Sequence, residues 1–288
     1  MNTHRIAVLA GDGIGKEVIP AGIDVLKASA VRGGFTLEFT SFPWGCDFYL
    51  RNGRMMDADA VDQLMKFDAI YLGAIGDPKV PDYISAGELL LPLRRRLVQC
   101  VNLRPVRLLP GIASPLGGRT AADIDIVCVR ENSEGEYCGV GGRVHAGTPD
   151  ELAEQTGIFT RRGIERIARY AFRMAASRPR KLLASATKSN ALQHSMMLWD
   201  EVVEQVSKEF PDVDYRKYHV DAIAARARDA SADARHHPLL QPVRRHPHRY
   251  RLGDFRQPRH RAERQHQSRA DGAVDVRADS RLGAGHRR

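Results

Sequence analysis

Apolar positions along the first 226 residues follow two periods in turn. An apolar run over 5–10 ends in Gly11-Asp12-Gly13-Ile14-Gly15, and a helical pattern follows over 16–30. Phe35, Leu37 and Phe39 alternate with polar residues, the period of a half-buried strand. Residues 69–72 and 124–129 predict further strands. Ile164, Ile167, Ala168, Ala171, Phe172 and Ala175 recur at helical spacing behind Thr160, a suitable N-cap. The pattern then predicts a strand over 181–186, a helix over 197–208 and a strand over 214–220. Strands alternating with helices predict an α/β fold with a largely parallel sheet.

Beyond residue 226 the pattern stops, and charge shows the same break. The 288-residue chain carries a net +9, yet residues 227–288 hold 15 arginines, no lysine, 7 histidines and only 7 acidic residues, a local +8. The first 226 residues are close to neutral, at +1. The tail has no Ile, Met, Trp or Lys and no sustained apolar period, so disorder is expected over 227–288. Its few aromatics (Tyr250, Phe255) give little for base stacking, so no nucleic-acid partner is expected. No apolar run approaches the roughly 20 residues of a membrane span. The four cysteines form no CxxC pair and suit a reducing cytoplasm, and the start is too short in apolar residues for a signal peptide.

The candidate chemistry lies at the predicted element ends. Gly11 to Lys16 fits neither a dinucleotide fingerprint, because its third glycine position is Lys16, nor a phosphate loop, because Ala10 and Glu17 stand at defining positions. A tight turn into a helix is the expectation. Arg94, Arg104 and Arg130 can form a clamp for a diacid, since guanidinium pairs carboxylate bidentately; equally, arginines at element ends serve solvation and structural ion pairs. Tyr137 and Lys188 are the candidate proton-transfer groups. Lys188 follows a strand, where α/β sites lie and a desolvated lysine can act as a base, although most lysines are simply solvated. Asp221 also follows a strand and is either a helix cap or one of the several oxygen ligands a hard divalent cation needs.

In combination, several segments resemble the β-decarboxylating dehydrogenases, the family of isocitrate, isopropylmalate, tartrate and D-malate dehydrogenases. They are 6–17, Asn102-Leu103-Arg104-Pro105, the run 129–137 (Val-Arg-Glu-Asn-Ser-Glu-Gly-Glu-Tyr), Thr187-Lys188-Ser189-Asn190 and Tyr218-His219-Val220-Asp221-Ala222. The stretches 42–49, 54–56, 73–78 and 105–111 look closer to the tartrate/D-malate branch; isopropylmalate oxidation is the rival within the family. The resemblance covers residues 4 to about 226 and implies an isopropylmalate dehydrogenase-like fold that is not a Rossmann fold and is incomplete at the C-terminus. Residues 1–100 would belong to a large domain, and 101–226 mainly to a smaller inserted dimerisation domain and the return. Arg94, Arg104 and Arg130 would bind a 2-hydroxy diacid, Lys188 would take the hydroxyl proton as hydride leaves for NAD, and Tyr137 would protonate the enol. Asp221 would be one ligand of Mn²⁺ or Mg²⁺, and Ile14 and Asn190 would lie near the cofactor. Lys188 and Asp221 would reach into a partner's cleft in a homodimer. An acidic residue usual in part of the family, seven places before the first arginine, is here Gly87, so that role is not carried over.

The family's metal-binding segment (like NLFGDILTD) and adenine loop (like HGSAPDIAG) are missing. Synonymous codons for 240–252, read one base later, can spell S-N-L-F-G-D-I-L-T-D-I-G, and those for 276–287 can spell F-E-P-I-H-G-S-A-P-D-I-A. We therefore expect a reading-frame shift near 226–228, which also explains the arginine excess. A sheet left open where a central strand belongs, and impaired catalysis, are the corresponding expectations.

Overall fold

A computed structural model describes residues 2–114, 120–121, 124–229 and 238–241, all within the unit Met1–Pro247; for 225–229 and 238–241 it describes the backbone. Nearly all of the predicted 227–288 tail lies outside these residues.

The N-terminal part is a three-stranded parallel sheet of order β2-β1-β3, formed by β1 (Thr3–Gly11), β2 (Thr36–Ser41) and β3 (Ala69–Ala74). Helix α1 (Gly15–Gly33) follows β1, and Gly34 closes it in the left-handed region that glycine adopts readily. The tight turn between β1 and α1 is a structural joint. Gly11 has φ +72°, and a Cβ there would run into the Ala74 carbonyl oxygen. Buried Asp12 accepts from the Cys46 amide (2.8 Å) and the Gly76 amide (3.0 Å), so its carboxylate ties β1 to two later loops. This is the expected turn rather than a fingerprint. Short helices α2 (Cys46–Asn52), α3 (Ala60–Leu64) and α4 (Asp82–Ser85) follow, and a π-helical turn (Ala86–Leu90) leads into α5 (Leu91–Arg96). Trp44, Met55, Leu64, Leu89 and Leu93 pack with Ala7 and Leu9 into one core.

The second sheet has the order β4-β5-β10-β8-β9. Its strands are β4 (Val101–Arg107), β5 (Asp125–Glu131), β8 (Leu182–Thr187), β9 (Asp214–His219) and β10 (Pro238–Gln241). β4 is antiparallel to β5, and the other neighbours are parallel. Between β5 and β8 the chain makes a two-stranded ribbon, β6 (Gly135–Val144) and β7 (Leu152–Ile158), and then α6 (Arg161–Ala176). Helix α7 (Ser195–Ser207) follows β8, and α8 (Val220–Asp229) lies between β9 and β10.

The helix α6 forms as the spacing predicts. Thr160 accepts from the Gly163 amide at 3.0 Å, and all six apolar residues of the stripe are buried. They pack on Trp199, Val202, Val203 and Val206 of α7 and on Val127, Val129 and Leu183 of the sheet. Every residue of β8 is buried, as suits a central strand covered on both faces.

One expectation is corrected. The sheet is not open between β5 and β8, because Pro238–Gln241 pairs with both, Leu240 standing opposite Val129 and Ser185. Two strand edges with unpaired backbone groups are strong templates, and four residues with two leucines suffice to fill the slot.

Candidate functional site

Alternation along a strand places every second side chain on one face. In the antiparallel register Asn102 stands opposite Arg130 and Arg104 opposite Cys128, so these four residues share a face of the β4–β5 pair. The last turn of α5 adds Arg94. Beyond Arg130 the chain reverses around a buried carboxylate. Glu131 accepts from the Ser133 amide and hydroxyl (3.0 and 2.8 Å) and from the Glu134 amide (2.7 Å). Glu134 in turn accepts from the Thr160 amide and hydroxyl (2.8 and 2.7 Å), which fixes the turn to the start of α6. This reversal brings Tyr137 of β6 back over Arg130, with the guanidinium carbon 5.2 Å from the ring centre.

The electrostatics fit one cationic cluster. Burial holds Arg94 below the usual arginine range; Arg130 and Arg104 add to this by like-charge repulsion, and Tyr137 opposes it. Burial pushes the Cys128 thiol up to about 11, while Arg104 and Arg130 pull it the other way. Guanidiniums that disfavour one another are stabilised together by a dianion. The structure thus brings Arg94, Arg104, Arg130 and Tyr137 near one another.

Lys188 and Asp221 are joined in a separate pair. Lys188 follows β8 and Asp221 lies in the first turn of α8, just past β9; the register Thr187–His219 makes them neighbours, and they form an ion pair. β10 lies between the strand of Arg130 and the strand preceding Lys188, two strand spacings or roughly 10 Å. Ile14 is exposed at the start of α1, and Asn190 is exposed in the turn after β8.

A hard cation takes about six oxygen ligands. Among the described residues no group of three or more His, Cys, Asp or Glu could hold a metal ion, and Asp221 is bound to the Lys188 ammonium. The described residues therefore do not fit Mg²⁺ or Mn²⁺. The sequence alone does not mark Asn102, Asn132 and Cys128 as members of the cluster; the signal for Cys128 is its i−2 spacing from Arg130, while the Asn pair shows only in a long-range hydrogen bond.

The isocitrate/isopropylmalate dehydrogenase family matches over residues 5–230. A D-malate dehydrogenase (decarboxylating) of Escherichia coli (strain K12) is 54% identical over 228 residues, covering 78% of this chain and 63% of that protein. A tartrate dehydrogenase/decarboxylase of Pseudomonas putida is 49% identical over 227 residues, covering 78% and 62%. The crystal structure of an isocitrate dehydrogenase from Methylococcus capsulatus superposes with a TM-score of 0.72 at 26% identity, covering 83% of this chain and 67% of that one. The chain spans 62–63% of the length of these two curated relatives. Among the described residues no helix is long and apolar enough to cross a membrane.

Proposed function

This chain belongs to the isocitrate/isopropylmalate dehydrogenase family, and from that premise we propose that its arginine cluster binds a 2-hydroxy diacid such as tartrate or D-malate for oxidation by NAD. The observation that carries the reading is the convergence of Arg94, Arg104 and Arg130 beside Tyr137. Three guanidiniums match a diacid's two carboxylates and its hydroxyl: a planar fork grips each carboxylate, and an N–H donates to the hydroxyl oxygen. The names of the relatives favour the tartrate/D-malate class over isopropylmalate.

NAD accepts the hydride in this reading, with Ile14 and Asn190 toward the cofactor. The chain's own groups bind and orient the diacid and move protons. Where the β-carboxylate then leaves as CO₂, the electron pair of the broken C–C bond forms an enol, and Tyr137, with the Arg130 guanidinium over its ring, gives that carbon a proton. Lys188 takes the hydroxyl proton once it leaves Asp221, serving the cleft of a second copy in a homodimer. If residues after about 227 are out of frame, the remaining metal ligands of the family are not in this chain and turnover is impaired. A cytoplasmic location belongs to the same reading and is supported by four cysteines that form no disulfide. The same holds for the division near residue 100 into a large and an inserted domain.

Calorimetric titration tests the recognition step. Tartrate and D-malate should bind, and lactate, with one carboxylate, should bind at least about tenfold more weakly. Equal affinity for lactate and tartrate refutes the clamp. Reduction of NAD with D-malate and Mn²⁺ at a full-length relative's rate, by protein whose intact mass matches this sequence, refutes the impairment.

A further inference from the structure

A chain of amides runs beneath the arginine cluster, and the inference drawn from it rests on the diacid reading above. Asn132 is buried. Its backbone amide donates to the Cys100 carbonyl and its Nδ2 to the Gln99 carbonyl, both at 3.0 Å, so the residue is pinned to the segment just before β4. Its Oδ1 accepts from Asn102 Nδ2 at 3.1 Å, and Asn102 Oδ1 accepts from Arg104 Nε at 3.0 Å. The chain has one direction. Turning either side-chain amide over would set N–H against N–H or carbonyl against carbonyl, so each orientation fixes the next. The Glu131 carboxylate, holding the amides of Ser133 and Glu134, locks the backbone on either side of Asn132.

We propose that Asn132, acting through Asn102, is a positioning residue that aims the Arg104 guanidinium at the diacid. Arg104 is exposed on β4, where a long side chain otherwise samples many rotamers. Holding it in advance removes an ordering cost from ligand binding. The engaged atom also sets the geometry. With Nε used by Asn102, a carboxylate is gripped end-on by Nη1 and Nη2 rather than side-on by Nε and one Nη. Asn132 touches no ligand in this scheme. Its effect on the diacid passes through Arg104, which separates this role from the hold it also has on the Gln99–Cys100 segment.

The test uses the purified full chain with Asn132→Ala, Asn102→Ala, Arg104→Lys and the double variant Asn132→Ala/Arg104→Lys. The first readout needs no ligand: exchange of the Arg104 Nε proton with water, followed by ¹⁵N-selective NMR. It should quicken about fivefold or more in Asn132→Ala and Asn102→Ala as the acceptor is loosened or lost. The second readout is the Kd for tartrate. It should rise about tenfold in each asparagine variant, and Asn132→Ala should add nothing further in the Arg104→Lys background. Unchanged Nε exchange in both asparagine variants, or losses that add independently in the double variant, overturn the proposal. Should Asn132→Ala fail to fold, Asn102→Ala alone decides by the same two readouts. If wild-type chain binds no tartrate while Nε exchange responds as stated, the diacid reading falls and the positioning of Arg104 stands.

Discussion

Replacing Arg94 by methionine removes a charge that folding places beside two like charges. Arg94 is held below the usual arginine range by burial first and then by Arg130 and Arg104. Two unit charges roughly 7 Å apart repel by about 0.6 kcal/mol in water-like surroundings and about 2.4 kcal/mol at an effective dielectric of 20. Arg94 is half-buried, and screening at a partly wet site puts each repulsion near the lower figure, or about 1 kcal/mol for the pair of neighbours. Against this, a cation in the last turn of α5 gains about 0.3–1 kcal/mol from the helix dipole. Methionine keeps much of the apolar stem contact that arginine makes. The balance is a stabilisation of about 0.5 kcal/mol, worth roughly 1–2 °C in Tm for a chain of this size. The same change removes one of three diacid-binding forks. Tartrate at a hundredfold excess over its Kd should stabilise the wild-type chain by about 2.7 kcal/mol. It should do far less for Arg94→Met at the same concentration. Thermal melts with and without tartrate measure both effects. A variant that melts several degrees below wild type without ligand, or keeps the full tartrate response, refutes the reasoning.

Three further predictions concern stability. Thr160→Ala removes the cap on Gly163 and a bond to Glu134, and should lower unfolding stability by about 1–2 kcal/mol in a urea titration, with Thr160→Ser largely wild type. Leu240→Pro deletes a backbone donor in the strand between β5 and β8 and should cost roughly 2 kcal/mol or more; an unchanged urea midpoint would argue against that pairing. Cys128 is raised from 9.0 to about 11, so the folded state holds its proton more tightly than the unfolded chain. That contribution is complete below pH 9 and is lost as pH rises toward 11, so wild-type Tm should fall more steeply across this window than that of Cys128→Ala.

The parts legible in the sequence were those where one period and one cap agree. Helix α6 shows its stripe and Thr160, and β8 is a short apolar run followed by Lys188. β4 was hidden because it is an outer strand, exposed from Leu103 to Arg107, and it contains Pro105. The β6–β7 ribbon was hidden because most of its residues are exposed, so neither strand carries a buried face to imprint alternation. β10 is four residues within an arginine-rich stretch, and its pairing depends on two strands far back in the chain. At the site, the arginines were readable as residue types at element ends. Their convergence required the β4–β5 register and the Glu131 turn, and the Asn132–Asn102 link joins residues 30 apart with no sequence spacing of its own.

The position of β10 also has a bearing on how the chain is made. β5 leaves the ribosome first, then β8 and β9, and the strand that joins them begins only at Pro238, about 50 residues after Thr187. At roughly 5–20 residues per second, β8 waits about 3–10 s for its inner neighbour, and β5 waits about twice as long. Until then the nascent sheet consists of two ribbons, β4–β5 and β8–β9, whose facing edges carry unpaired amides and carbonyls. Late, long-range closure of this kind is slow and open to wrong pairing. Yield of this protein in cells should therefore respond to slower elongation or added chaperone more than to changes at the N-terminal sheet, whose three strands are all complete by Ala74.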